Sequence, residues 1–148
     1  MNFNETYISS ISKFITETLS INDLSGVDIN KFIAKMDVDE KSASSGGELV
    51  EVDVAKMDKI LKDTDGSYVD NNGKGGSPDK YQNALKFFSK DPEEIKFVEA
   101  PVIVVDKDSA YIVEGRHRFA VMRALGAKRL KITMNEESIK NSKELGIV

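Results

Sequence analysis

A chain of 148 residues, 40% apolar and 31% charged, is about one domain long and holds enough apolar side chains for a core of its own. No cysteine and a single histidine exclude disulfides, thiolate chemistry and cysteine-type zinc sites, so any metal would rest on carboxylates and water. A net charge of −4 argues against broad binding to nucleic acid, because most of the surface would repel phosphate.

The charge is unevenly spread. Residues 1–113 carry a surplus of acid, whereas residues 114–131 hold Arg116, Arg118, Arg123, Lys128, Arg129 and Lys131 against Glu114 alone. A local basic pocket on an acidic protein suits one small anion better than a long polymer. No apolar run approaches the roughly 20 residues of a membrane span, and the opening MNFNETY lacks the basic and apolar character of a leader. The expectation is a cytoplasmic protein with no membrane partner.

In chain order, Tyr7, Ile8, Ile11, Phe14, Ile15 and Leu19 stand at helical spacing after Asn4, a candidate N-cap. A shorter helix is predicted from Asp28, with Ile29, Phe32, Ile33 and Met36 on one face. Residues 1–36 therefore read as an N-terminal helical appendage, which packs on the main domain, pairs with another copy or docks a partner. The polar, Ser- and Gly-rich stretch 37–47 reads as a linker.

The main domain is placed at 48–148. ELVEVDV has strand character, and a helix follows with Val54, Met57, Ile60 and Leu61 on its apolar face. Next comes a polar loop with Gly66, Gly73, Gly75 and Gly76, then Ser77-Pro78 as N-cap and first turn of a helix to about Phe88. Pro101 to Val105 and Ala110 to Val113 read as two strands joined by a turn at Asp106 to Ser109. Phe119, Val121, Met122 and Leu125 mark a core-facing helix, Gly126 its end, and Leu130, Ile132 and Met134 a last strand. The fold class expected is α+β: a small mixed sheet with packed helices.

The stretch VEGRHRFAVMRALGAKRLKITM, Val113 to Met134, places Gly115-Arg116-His117-Arg118 where a strand gives way to a helix. The first amides of a helix lack intrahelical partners, and the macrodipole adds roughly half a positive charge there. Basic residues at that end disfavour the helix by a few tenths of a kcal/mol each, at about the scale of the dipole effect itself. A bound phosphate would compensate, with Gly115 allowing close approach and arginine offering a planar fork. The alternative is that Arg116 and Arg118 pair with the surplus carboxylates of residues 1–113. Arg123 suits either the pocket rim or the surface.

This turn resembles the signature of the ParB/sulfiredoxin-like superfamily, a Gly-x-His-Arg-x-Ala turn followed by a helix, a glycine and a final strand. The matching positions are Gly115, His117, Arg118, Ala120 and Gly126, and residues 48–134 follow the same plan. The resemblance implies that the turn binds nucleotide phosphates. Members include partition proteins that hydrolyse CTP, ATP-using sulfiredoxins, free-serine kinases and proteins described as nucleases. Sulfiredoxin chemistry needs a cysteine at the turn, and none is present. A partition protein carries a helix-turn-helix region after the fold, for which the 14 residues after Met134 leave no room, and has arginine where Ala120 or Val121 stands here. The fit is closest to small stand-alone members, often phage-encoded, with a DGRHRFA-like turn.

On that resemblance, Gly115 and the amides of Arg116 and His117 cradle phosphate, Arg118 clamps it and His117 orients or protonates. The implied cofactor is a nucleoside triphosphate, ATP or CTP, with Mg²⁺. Glu114, just before the turn, is positioned either to hold the metal or act as general base, or simply to pair with Arg116 or Arg118. Within the Gly-rich loop, a calcium-loop reading fails because Leu61 and Asn72 fall where ligands belong. A P-loop reading fails because Gly75 follows Lys74 and Tyr68 stands where glycine is required. The loop reads as a mobile lid or substrate loop, from which Lys74 would reach a phosphate, or else as a disordered surface loop. Three functions follow in order: nucleotide or phosphate binding with phosphotransfer or hydrolysis; a non-catalytic interaction or inhibitor protein acting through its acidic surface; and a DNA-binding protein or nuclease, which would need steeply salt-dependent binding.

Overall fold

The computed structural model describes residues 18–38 and 43–148. The first amphipathic stretch, Tyr7 to Ile15, and part of the expected linker, 39–42, lie outside the described residues. After a 3-10 turn at Ile21–Leu24, the Asp28 carboxylate accepts from the Asn30 amide and starts α1 (Ile29–Ile33). The helix stops earlier than its apolar spacing predicts. Met36 belongs instead to β1 (Met36–Asp37), which runs parallel to β3 (Val98–Glu99). Phe32 meets Phe88 edge-on with ring centroids 5.1 Å apart. The described part of the stretch read as an appendage thus shares the core of residues 48–148.

β2 (Glu48–Asp53) passes without a loop into α2 (Val54–Thr64), because Asp53 ends the strand and also caps the helix through the Lys56 amide. α3 (Pro78–Phe88) opens with the expected Ser77 cap and Pro78 in its first turn. There follow β4 (Val102–Val105), β5 (Ala110–Glu114), α4 (Arg116–Ala124), β6 (Arg129–Met134) and α5 (Glu136–Glu144).

The larger sheet has the order β2-β6-β4-β5. β2 and β6 are antiparallel from Glu48↔Met134 to Asp53↔Arg129. β4 and β5 form an antiparallel hairpin. β4 and β6 are parallel and paired at Val102↔Thr133. Beyond that pair, α5 takes over the hydrogen bonding of β4. The Val105 amide donates to Ser138 Oγ at 3.0 Å, and Asn141 Nδ2 donates to the Val105 carbonyl at 2.9 Å. Both side chains are buried, and such groups are kept inside only when paired. The sequence shows the signals for α5, an Asn135 cap with Glu136 and Glu137 in the first turn, although its run is too polar to stand out by apolar spacing.

The class is α+β: among the described residues, five α-helices pack on the two sheets. Also among them, no helix is long and apolar enough to cross a membrane. The core joins Phe119, Val121 and Met122 of α4 to Leu85 and Phe88 of α3 and to Ile103, Leu130 and Ile132 of the sheet. It therefore fixes where the start of α4 sits relative to α3.

Candidate functional site

β5 ends at Glu114, and Gly115 turns the chain with φ 86°, a left-handed conformation costly for other residues. Space demands glycine as well. A Cβ there would stand 2.8 Å from Arg118 Nη2 and 3.1 Å from Pro101 Cα. The first intrahelical bond of α4 runs from the Phe119 amide to the Gly115 carbonyl, 2.8 Å. The amides of Arg116, His117 and Arg118 precede it and are the ones a helix start offers to an anion.

The two arginines have different work. Arg116 turns back along the outer edge of β5, donating to the carbonyls of Ile112 and Ser67, both at 2.6 Å, and lying 3.7 Å from Asp65. Asp65 in turn accepts from the Ile112 amide at 3.0 Å. The Thr64 hydroxyl accepts from the Ala110 amide at 3.0 Å. These side chains close a strand edge that would otherwise be open. The guanidinium of Arg116 is thus committed to the fold, and only its backbone remains for the cradle.

Arg118 is less committed. Its Nη1 lies 3.5 Å from Glu99 Oε2, with both side chains partly exposed, and its buried Nε has no hydrogen-bond partner. It faces a cleft of about 710 Å³ lined by Glu114 to Arg118 at the turn and by Lys80, Asn83, Ala84 and Phe87 of α3, with Phe97, Glu99 and Val113 completing it. Phe97 and Val113 are about half exposed, 50% and 51%, so the cleft offers exposed apolar surface together with Lys80 and Arg118, alongside the carboxylates of Glu99 and Glu114. That combination suits a ligand with an anionic head and a flat apolar body.

His117 also lines the cleft, and its Nε2 accepts from the Ser77 amide at 2.9 Å. An accepting Nε2 leaves the ring proton on Nδ1. Burial, then Lys80, then Arg116 hold the imidazole below its ordinary pKa. It therefore stands as a neutral hydrogen-bond donor. The residue before Ser77 must be small, because a Cβ at Gly76 would come within 2.5 Å of His117 Nε2.

The Gly-rich loop is built rather than loose. Arg123 donates from Nε to Asn71 Oδ1 at 2.6 Å, from Nη1 to Asp58 Oδ1 at 2.8 Å and from Nη2 to the Val69 carbonyl at 2.6 Å. Its guanidinium carbon lies 4.8 Å from the centre of the Tyr68 ring, and the Tyr68 hydroxyl donates to Asp58 at 2.7 Å. Lys74 is exposed, its amide held by Asp70, and it is not among the residues lining the cleft. Lys80 occupies the place expected of it.

Glu114, Gly115, Arg116, His117 and Arg118, consecutive in the chain, all line the cleft. Glu114 is exposed and, among the described residues, pairs with neither arginine. Also among the described residues, no group of three or more acidic or histidine side chains is placed to hold a metal. A cation here would rest on Glu114 and on phosphate oxygens, as magnesium commonly does. No family model, curated protein or solved structure matches this chain.

Sequence reasoning missed Lys80, Asn83, Phe87, Phe97 and Glu99. Only Lys80 left a signal. It is a basic residue in the first turn after the Ser77 cap, the same unfavourable placement that drew attention to Arg116 and Arg118. The other four reach the cleft through tertiary packing.

Proposed function

We propose that this chain is a nucleotide- or phosphate-binding protein of the ParB/sulfiredoxin-like kind, with phosphotransfer or hydrolysis as its chemistry. The observation that carries the reading is the meeting of the α4 start, Arg118 and Lys80 in one cleft with the apolar side chains of Phe87, Phe97 and Val113. Gly115 and the first amides of α4 cradle phosphate, and Arg118 exchanges its loose contact with Glu99 for a phosphate oxygen. Lys80 adds a second positive charge. His117 donates from Nδ1, and the apolar side chains take a base.

A nucleoside triphosphate such as ATP or CTP, with Mg²⁺, would supply the phosphoryl group. The buried, partnerless Nε of Arg118 and the glycine cradle fit such an anion. Glu114, exposed beside the cradle, either contributes to holding the cation or accepts the proton of an attacking hydroxyl or water.

The test is a thermal-shift screen against ATP, CTP, GTP and UTP, with and without Mg²⁺, beside Arg118→Ala. A nucleotide at about 100 times its dissociation constant adds about 2.7 kcal/mol of stability, a rise of about 5–10 °C for a chain of this size. A shift with wild type that falls to about half or less in Arg118→Ala, as an affinity loss of about tenfold or more requires, supports the reading. No shift with any nucleotide overturns it and favours an interaction protein instead.

A further inference from the structure

We propose that Arg123 is a positioning residue for the cleft: by fastening loop 65–77 it keeps the Ser77 amide on His117 and so holds the imidazole in one tautomer. The inference rests on the anion-binding reading for its purpose, but not for its test. α4 grips the loop at two places, through Arg123 near its end and His117 in its first turn.

A continuous set of contacts joins them. Arg123 Nη2 holds the Val69 carbonyl at 2.6 Å. The Val69 side chain lies against Gly76, where an added Cβ would sit 2.8 Å from Val69 Cγ2. Ser77, the next residue, donates to His117 Nε2 at 2.9 Å. Arg123 is only 9% exposed, and its planar fork reaches three acceptors at once, which the single ammonium of lysine cannot do in this spread geometry.

The anchor is itself well defined. Asp58 Oδ1 takes both Arg123 and the Tyr68 hydroxyl. Burial, followed by that bond to Asp58, pushes the Tyr68 phenol up to about 12, so it remains a donor. Lys80 on α3 and Arg116 on α4 face the imidazole, with Arg118 and Glu114 beside the same turn. After burial, Lys80 and Arg116 favour the neutral ring. Without a seated Ser77 amide, nothing in this set selects which ring nitrogen carries the proton.

Because the chain has one histidine, ¹⁵N-histidine labelling gives a single imidazole to observe in the full-length protein. Wild type is expected to show the proton on Nδ1 alone. Arg123→Gln is expected to give a mixture of tautomers and an imidazole pKa moved up toward the ordinary value, with Arg123→Lys between the two. Ile132→Val, a core change away from the loop, is expected to leave the spectrum unchanged. If Arg123→Gln does not fold, Tyr68→Phe and Asn71→Ala each loosen the same anchor and carry the same readout. A folded anchor variant with the wild-type tautomer and pKa overturns the proposal, and so does the same change in Ile132→Val. The spectrum is recorded without nucleotide, so a tautomer change in a protein that binds no ATP would sink the anion reading alone.

Discussion

Asp65 and Arg116 stand 3.7 Å apart on the outer edge of β5, where the carboxylate takes the Ile112 amide and the guanidinium takes the Ile112 carbonyl. One ion pair thus takes both the amide and the carbonyl that Ile112 would have offered to a further strand. This relationship removes one arginine of the GRHR turn from ligand duty, and it makes Asp65 a stability residue. Its side chain is 5% exposed. Asp65→Ala leaves a buried amide unpaired and a cation without its partner, and is expected to cost about 3 kcal/mol. The shift of the urea midpoint at unchanged slope measures it.

Two loop glycines should respond oppositely. A Cβ at Gly76 would meet His117 Nε2 at 2.5 Å and Val69 at 2.8 Å, whereas one at Gly66 meets nothing within 4 Å. Gly76→Ala is expected to destabilise by about 1–3 kcal/mol. Gly66→Ala, which mainly restricts the unfolded chain, should be neutral or stabilising by up to about 1 kcal/mol. Thermal melts of the two variants side by side decide it.

Burial, Lys80 and Arg116 lower the pKa of His117 in the folded state. The unfolded chain then binds its proton first as pH falls. The stability this provides is complete above the unfolded value of about 6.5 and is lost as pH drops through the folded value. Melting temperatures followed from neutral to mildly acid pH should fall more steeply for wild type than for His117→Gln. Parallel curves would contradict this assignment.

Arg118 should separate binding from folding. Its pair with Glu99 is partly exposed on both sides, 28% and 37%, and such pairs contribute less than about 1 kcal/mol. Arg118→Ala is therefore expected to melt close to wild type while nucleotide affinity falls at least about tenfold, the loss of one charge-assisted contact of about 1.5–3 kcal/mol. Calorimetric titration of both proteins tests the second half, and a melt tests the first.

Asn141 offers a check on α5. Its amide satisfies the Val105 carbonyl in the interior, so Asn141→Ala should cost about 1–3 kcal/mol. Hydrogen exchange should quicken at the amides of β4. An exposed position on the same helix, Lys140, should tolerate alanine.

The legible parts of this protein were those whose cause is local. Ser77-Pro78 starts α3, and Ala110 to Glu114 forms a strand, with Gly126 ending a helix, because caps, alternation and glycine act within a few residues of themselves. The strand–glycine–helix turn at 114–118 was readable for the same reason, and with it the basic helix start. α5 and β3 were harder. One is too polar and the other too short for periodicity to register, and both are held by distant partners, Val105 and β1.

The assignment of roles within the turn lay beyond the sequence altogether. Arginines two positions apart look alike in a string of letters. Only the fold, by bringing Asp65 and Ser67 beside Arg116 and Glu99 beside Arg118, makes one a clasp for a strand edge and leaves the other facing a cleft. Lys74 and Lys80 exchanged parts for the same reason, since the reach of a side chain is set by the packing of α3 on α4 rather than by its distance along the chain. The sequence by itself determined the α+β class, the locally signalled helices and strands, and the basic strand–glycine–helix turn at 114–118. The tertiary structure decided which donors are already taken, because hydrogen bonds between residues 40 to 65 positions apart, such as Ser77 to His117 and Asp58 to Arg123, exist only once the core has brought those elements together.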